Sequence, residues 1–210
     1  MNKVCAFKVD DFDYLTSVAR GQLALVADKD APFDDLESMV DYAKANGPMA
    51  IAINASPHKL ILAAISKKTG AEFEFVPTDG GAESMKLLLG GQVMASFAGG
   101  SHGAYIDSGD MKMIAVGNSE RHDYAPDVMT VAEQGYGVYL DSVFYIATTK
   151  GTDQAILDAL SNAISSALAS DEVVEIVRNA AKTSVLDLTP AETRSVMVDG
   201  LPNMEKLVGK

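Results

Sequence analysis

The chain is poor in the residues from which reactive centres are built. Its 210 residues include one cysteine, Cys5, and three histidines, His58, His102 and His122. A lone cysteine excludes an internal disulfide and any zinc site that needs two thiolates. Three histidines leave little material for a metal centre, so neither a metal nor a cofactor is expected. Cys5 itself reads as a passive thiol near a terminus. Basic residues are scarce as well: 17 Lys and Arg against 29 Asp and Glu give a formal charge of −12. A nucleic-acid binder needs a concentrated basic face, and an anionic membrane surface repels so acidic a chain. No apolar run approaches the length of a bilayer-spanning helix. The opening residues lack the apolar stretch of a secretory signal peptide, because Asp10, Asp11 and Asp13 arrive at once. That start fits a cytosolic protein, a chain whose leader has been removed, or one that begins partway into a longer design. The acidic cluster lacks the glycine and distal glutamate of a calcium loop and reads as a solvated turn.

What is present is a globular composition, 48% hydrophobic and 22% charged, which provides core for one large domain or two small ones. Strand and helix patterns alternate. Gln22 to Ala27, Met49 to Ile53, Glu72 to Val76, Val93 to Phe97, Met111 to Val116 and Tyr139 to Ala147 are short apolar or alternating runs of strand length. Between them, apolar residues recur at helical spacing: Leu36, Met39, Val40 and Ala43, then Leu60, Ile61, Ala64 and Ile65, then Met85, Leu88 and Leu89. Ser56 is expected to cap the second of these helices, with Pro57 at its first position. The last third reads as helical, over 153–169, 171–181 and a closing helix. The closing helix opens on the capping box Thr189-Pro190-Ala191-Glu192 and breaks at Gly200-Leu201-Pro202. A short strand is expected at 184–188. The alternation predicts an α/β fold with a mostly parallel sheet.

In such a sheet the strand-to-helix junctions share one edge. Three junctions here offer small or hydroxyl residues: Asn54-Ala55-Ser56-Pro57-His58, Thr78-Asp79-Gly80-Gly81, and Gly99-Gly100-Ser101-His102. Free N–H groups and the positive dipole end at helix starts attract anions, and glycines let a ligand approach the backbone. The predicted pocket takes a carboxylate or phosphate. The bland readings are that Ser56 is an ordinary cap, that the glycine pairs are turns, and that His58 and His122 are surface residues. Gly99 to Gly103 also matches G-x-S-x-G, the nucleophile elbow of hydrolases. That motif needs a later acid and histidine. Beyond it only His122 follows, with no strand–helix unit of the usual kind between, and no HGGG-like loop precedes it. A serine hydrolase using Ser101 is therefore a remote alternative.

Val76 to Val93 (VPTDGGAESMKLLLGGQV) resembles the VPYxGGxxAxxxLLGGxV core of the extracytoplasmic solute receptors of tripartite tricarboxylate transporters, the Bug receptors. Gly109 to Val116 looks like their GKLRxLAV strand, Arg121 to Gly135 like their RxxxxPDVPTxxEQG loop, and Lys150-Gly151-Thr152 like their PxGTP turn. The likeness runs in order through nearly the whole chain. It departs at Met129, where the family usually has proline, and at Ala98, where it often has aspartate. The resemblance implies a type II periplasmic-binding-protein-like fold, two-lobed, that closes by a hinge on a small carboxylate and delivers it to membrane subunits. It implies ligand binding by Ser56, His58, Thr78, Gly80, Gly81, Gly99, Gly100 and Ser101. Family members begin several dozen residues earlier, with a glycine-rich loop and an aspartate that form the other jaw. The resemblance thus implies an N-terminally truncated receptor with a complete lobe over 25–144. The remnant of the other lobe is expected over 1–24 and 145–210, covered by a second copy of the chain. A degenerate homologue that serves as an interaction domain is the alternative. A periplasmic location rests on the resemblance alone.

Overall fold

The structure, a computed structural model, describes residues 7–207; Cys5 lies outside them. The chain divides into two compact units. The larger takes in 21–142 with short returns at 180–182 and 203–207, and the smaller takes in 7–20 with 143–179 and 183–202.

The larger unit is built on five strands: β2 (Ala24–Asp28), β3 (Met49–Ile53), β4 (Phe73–Pro77), β5 (Ala95–Ala98) and β6 (Met111–Val116). Their spatial order is β4-β3-β5-β2-β6. β3 pairs parallel with β4 and β5, whereas β2 runs antiparallel to both its neighbours. The expected parallel sheet is thus present with one reversed strand, β2. Both faces are covered, which is why these strands read as apolar runs. On one face lie Leu25, Ile51, Ile53, Phe97 and Ile114. They meet Leu36, Met39 and Val40 of α1 (Leu36–Asn46) and Ile61, Leu62 and Ile65 of α2 (His58–Thr69). On the other face lie Val26, Ala52, Ala98, Met113 and Val116. They meet Met85 and Leu88 of α3 (Gly81–Leu89) and Tyr105 and Ile106 of α4 (Gly103–Ser108). Asp35 starts α1 by accepting the Ser38 N–H at 2.8 Å, and Gly70 ends α2 in the left-handed conformation at φ 76°.

After β6 the chain runs through a polar loop to a wide helical turn, Ala132–Tyr136. Arg121 grips both carboxylate oxygens of Glu133, at 3.0 and 2.9 Å, and Glu133 exchanges bonds with Thr130. Gln134 accepts the Leu36 N–H at 3.0 Å and donates to the Ile114 carbonyl at 3.2 Å. The Arg–Glu–Gln pattern of this loop is therefore bracing for α1 and β6.

The smaller unit pairs β1 (Phe12–Arg20) antiparallel with β7 (Val143–Thr149). Its helices are α5 (Gln154–Leu168), most of α6 (Asp171–Ala181) and α7 (Pro190–Asp199). A final helix, α8 (Leu201–Leu207), follows the break at Gly200. Thr189 caps α7 with Glu192, as its sequence predicts. The segment expected as a strand at 184–188 makes one bridge, Ala19 to Val185, and a Leu186 N–H bond to the Val18 carbonyl. The acidic start is more than a solvated turn. Asp13 takes Lys150 at 2.6 Å and the N–H groups of Gly151 and Thr152 at 2.8 and 3.2 Å, which fixes the turn after β7.

Candidate functional site

β3, β4 and β5 run the same way, so the segments that leave them, at Asn54, Thr78 and Gly99, emerge at one edge of the sheet. They also meet in space. A Cβ placed on Gly81 would lie 2.4 Å from Ser101 Oγ and 3.8 Å from Asn54 Nδ2. The space where a side chain would begin on this glycine is thus bounded by side chains from the other two junctions. Its bare Cα is what permits this approach, since it has no left-handed backbone to explain it.

The four candidate glycines do different things. Around Gly80 and Gly99 an added Cβ would meet nothing within 4 Å. Neither position has a left-handed φ, so each could hold another residue without strain, and glycine there leaves the backbone open to approach. Gly100 is structural. Its φ is +126°, and a Cβ would come 2.6 Å from the Ala180 carbonyl oxygen.

The helix starts differ too. At α3 the N–H groups of Gly81, Ala82 and Glu83 have no protein acceptor among the described residues. Glu83 does reach back to accept the Asp79 N–H at 2.7 Å, so one carboxylate already sits at this dipole end. At α2 the expectation of an open, serine-capped start is corrected. Pro57 occupies the capping position, Ser56 makes no capping bond, and the His58, Lys59 and Leu60 N–H groups bond to the Ala55, Ser56 and Pro57 carbonyls. A tight turn before the helix has used these donors. At α4 the Gly103 N–H bonds to the Gly100 carbonyl at 3.0 Å. Open amides therefore remain at α3 and also at α4, where the Ser101, His102 and Ala104 N–H groups have no protein acceptor among the described residues, while the α2 junction contributes side chains and bare backbone.

Of the remaining candidates, Ser56 and Ser101 are exposed. The Thr78 hydroxyl is engaged with Ser84 Oγ at 2.6 Å and braces the first turn of α3. His58 is buried, not a surface residue. Its ring lies 4.9 Å from that of Phe97, its Nδ1 has no partner, and burial pulls its pKa down to about 4. It underlies the edge as a neutral apolar ring. His122, read as solvated, is also buried. It holds Asn118 Oδ1 at 2.8 Å, and burial lowers its pKa to about 4. His102 Nε2 is 2.5 Å from the Tyr124 hydroxyl. Among the described residues no imidazole bonds to Ser101, so the serine of the G-x-S-x-G match lacks a base. Asn54 was missed as a candidate in its own right; its place directly after a buried strand, ahead of a turn, was the available signal.

A model described as "Tripartite tricarboxylate transporter family receptor" matches residues 1–198. Protein BugT of Bordetella pertussis is 31% identical over 196 residues, covering 91% of this chain and 60% of that protein. A UPF0065 protein from the gbd 5′ region of Cupriavidus necator is 31% identical over 163 residues, covering 76% of this chain and 50% of that one. The chain spans about half to three fifths of the length of these curated relatives. Among solved structures, one of an R. palustris protein with adipate superposes with a TM-score of 0.84 at 21% identity, covering 99% of this chain and 71% of that one. Another, MatC of Rhodopseudomonas palustris with bound malate, gives 0.82 at 20% identity, covering 97% and 72%. At these identities the structures show the type II periplasmic-binding-protein-like fold. The family match, which spans all but the last residues, shows more: the chain belongs to the tripartite tricarboxylate transporter receptor family, the Bug-type solute receptors.

Proposed function

We propose that the chain binds a small carboxylate at the edge where Asn54, Gly81 and Ser101 meet, as a solute receptor and without chemistry. The observation that carries this is the convergence of the other two junctions on Gly81, with Ser101 Oγ 2.4 Å and Asn54 Nδ2 3.8 Å from where its Cβ would stand, next to the open N–H groups of α3. Those amides and the helix dipole supply positive potential, the Ser101 hydroxyl and Asn54 amide supply directional donors, and Gly80 and Gly99 leave room for the ligand's oxygens. Ser56, exposed at the α2 junction, is a further hydroxyl in this reading. Local field outweighs the net negative charge of the chain. The R. palustris structures hold adipate and malate, and dicarboxylates of that size are the first ligands to test.

The same reading assigns a periplasmic location and membrane transporter subunits as partners. Among the described residues no helix is long and apolar enough to cross a membrane. It also assigns a second copy of the chain to the exposed apolar residues Phe144, Tyr145 and Ile146 of β7. A strictly monomeric species in light scattering at high concentration overturns that assignment.

The test of binding is thermal shift against adipate, malate, succinate, citrate, glutamate and aromatic acids. Saturable stabilisation by one of them, on the order of 2.7 kcal/mol at a hundred times its Kd, supports the receptor. Flat curves throughout favour a homologue that serves as an interaction domain.

A further inference from the structure

Four side chains, beginning at His102 directly after Ser101 and running away from the glycine-lined edge in sequence, form one continuous hydrogen-bonded chain. His102 Nε2 lies 2.5 Å from the Tyr124 hydroxyl, and that hydroxyl lies 3.0 Å from His122 Nδ1. His122 Nε2 lies 2.8 Å from Asn118 Oδ1. Asn118 Oδ1 also accepts the Leu23 N–H at 2.7 Å, and its Nδ2 donates to the Gly21 and Leu140 carbonyls at 2.9 and 3.2 Å. Asn118 therefore ties both crossover segments of the larger unit, where the chain arrives after Arg20 and departs toward Val143.

The donors can be assigned from end to end. Two carbonyls and one N–H fix the orientation of the Asn118 amide. Because its oxygen is the acceptor, His122 must carry hydrogen on Nε2. His122 Nδ1 is then an acceptor, and the Tyr124 O–H donates to it. The Tyr124 oxygen in turn accepts from His102 Nε2–H. His102 Nδ1 is left with a lone pair and no partner, in a side chain with no exposed surface. Every bond runs the same way, from His102 to Asn118.

Such a chain takes up one proton but not two. A first proton on His102 Nδ1 leaves every bond intact. A second, on His122 Nδ1, points two N–H groups at the Tyr124 oxygen, and the hydroxyl hydrogen then has no acceptor. The charged groups that face the chain are Lys182 and His122 toward His102, Asp123 toward His122, and Asp107 toward Tyr124. Asp141 Oδ1 stands 3.3 Å from Asn118 Nδ2. Lys182 disfavours the first proton and Asp123 favours the second, while Lys182 is itself paired with Asp107 at 2.5 Å. Burial dominates for both rings and holds them neutral at pH 7.

We infer that the His102–Tyr124–His122–Asn118 chain is an acid-sensitive latch, which fastens the crossover segments Gly21–Leu23 and Leu140–Asp141 at neutral pH and opens when it takes up two protons. This stands independently of any ligand at the glycine-lined edge.

The experiment is NMR of the whole chain with 15N-labelled histidine, together with hydrogen exchange of the Leu23 amide, corrected for intrinsic rates, from pH 8 to pH 4. Both rings are expected as Nε2–H tautomers at pH 7. Leu23 protection is expected to stay flat to pH 6 and then fall at least tenfold, more steeply than one proton allows, while Ala52 at the sheet centre holds. A Nδ1–H tautomer in either ring, titration of either near pH 6.5, or Leu23 and Ala52 losing protection together overturns the latch. In Tyr124→Phe, Leu23 should exchange at least tenfold faster already at pH 7; unchanged protection in a folded variant overturns it too. Should that variant not fold, the wild-type readings decide alone.

Discussion

Gly81 and Ser101 are packed so closely that a methyl group on the glycine would lie 2.4 Å from the serine Oγ and 2.9 Å from its Cβ. Gly81→Ala therefore overpacks the edge and should destabilise the protein by about 1–3 kcal/mol. Ser101→Gly removes both obstructing atoms. The double variant should recover most of that loss, a coupling that urea unfolding of the four proteins measures. Additive losses would show that the two residues do not share this contact.

The other glycines separate structure from binding. Gly100→Ala meets a left-handed φ and the Ala180 carbonyl, so it should lose about 1–3 kcal/mol or more. Gly80→Ala and Gly99→Ala meet neither and should stay within about 0.5 kcal/mol of the parent. Either methyl group would nevertheless stand where a bound acid approaches the backbone. Calorimetry with whichever carboxylate stabilises the protein should show weaker binding by both variants at unchanged stability. Undiminished affinity in both places the ligand elsewhere.

Gln134 carries a prediction about the loop. It accepts from Leu36 N–H at the first turn of α1 and donates to the carbonyls of Ile114 and Met129. Gln134→Ala leaves the Leu36 N–H without its acceptor, while the Met129 carbonyl keeps the Val116 N–H, at a cost of about 1–3 kcal/mol. Exchange of the Leu36 amide should quicken more than that of the Ile61 amide in α2. Equal change at both would mean that the glutamine is not a local brace.

Much of the larger unit was legible in the sequence because its strands are short, fully apolar and bounded by turn residues. Met49–Ile53 and Met111–Val116 fall where their runs fall. β1 was not legible. Its pairing with β7 shifts register twice, between Tyr14 and Thr16 and between Ser17 and Ala19. Each irregularity breaks the two-residue alternation that marks a strand. The junctions could be placed at one edge from topology alone, but the closure of α2's start could not, because it depends on the Ala55, Ser56 and Pro57 carbonyls turning back onto the first helical N–H groups, which the residue types alone do not specify. The histidines were misread for a related reason. Polar neighbours in sequence say nothing of Asn118 and Tyr124, which supply His122 with partners and let it be buried.

His58 gives the sharpest acid-stability prediction, because its ring has no hydrogen-bonding chain around it. Its pKa in the fold is lowered to about 4 by burial against Phe97, from the ordinary 6.5. Between those values the unfolded chain binds the proton and the folded chain does not. Stability therefore falls as pH drops through 6.5 and levels only below about 4. For one such ring the loss by pH 5 is about 2 kcal/mol. His58→Leu keeps an apolar side chain over Phe97 and removes the titration. Urea unfolding at pH 7.5 and pH 5 should show the variant losing about 2 kcal/mol less than the parent between the two. It should also take up one proton fewer on unfolding near pH 5. If parent and variant lose the same stability, His58 is charged or solvated in the fold, and its place beneath the junction edge as a neutral ring is wrong.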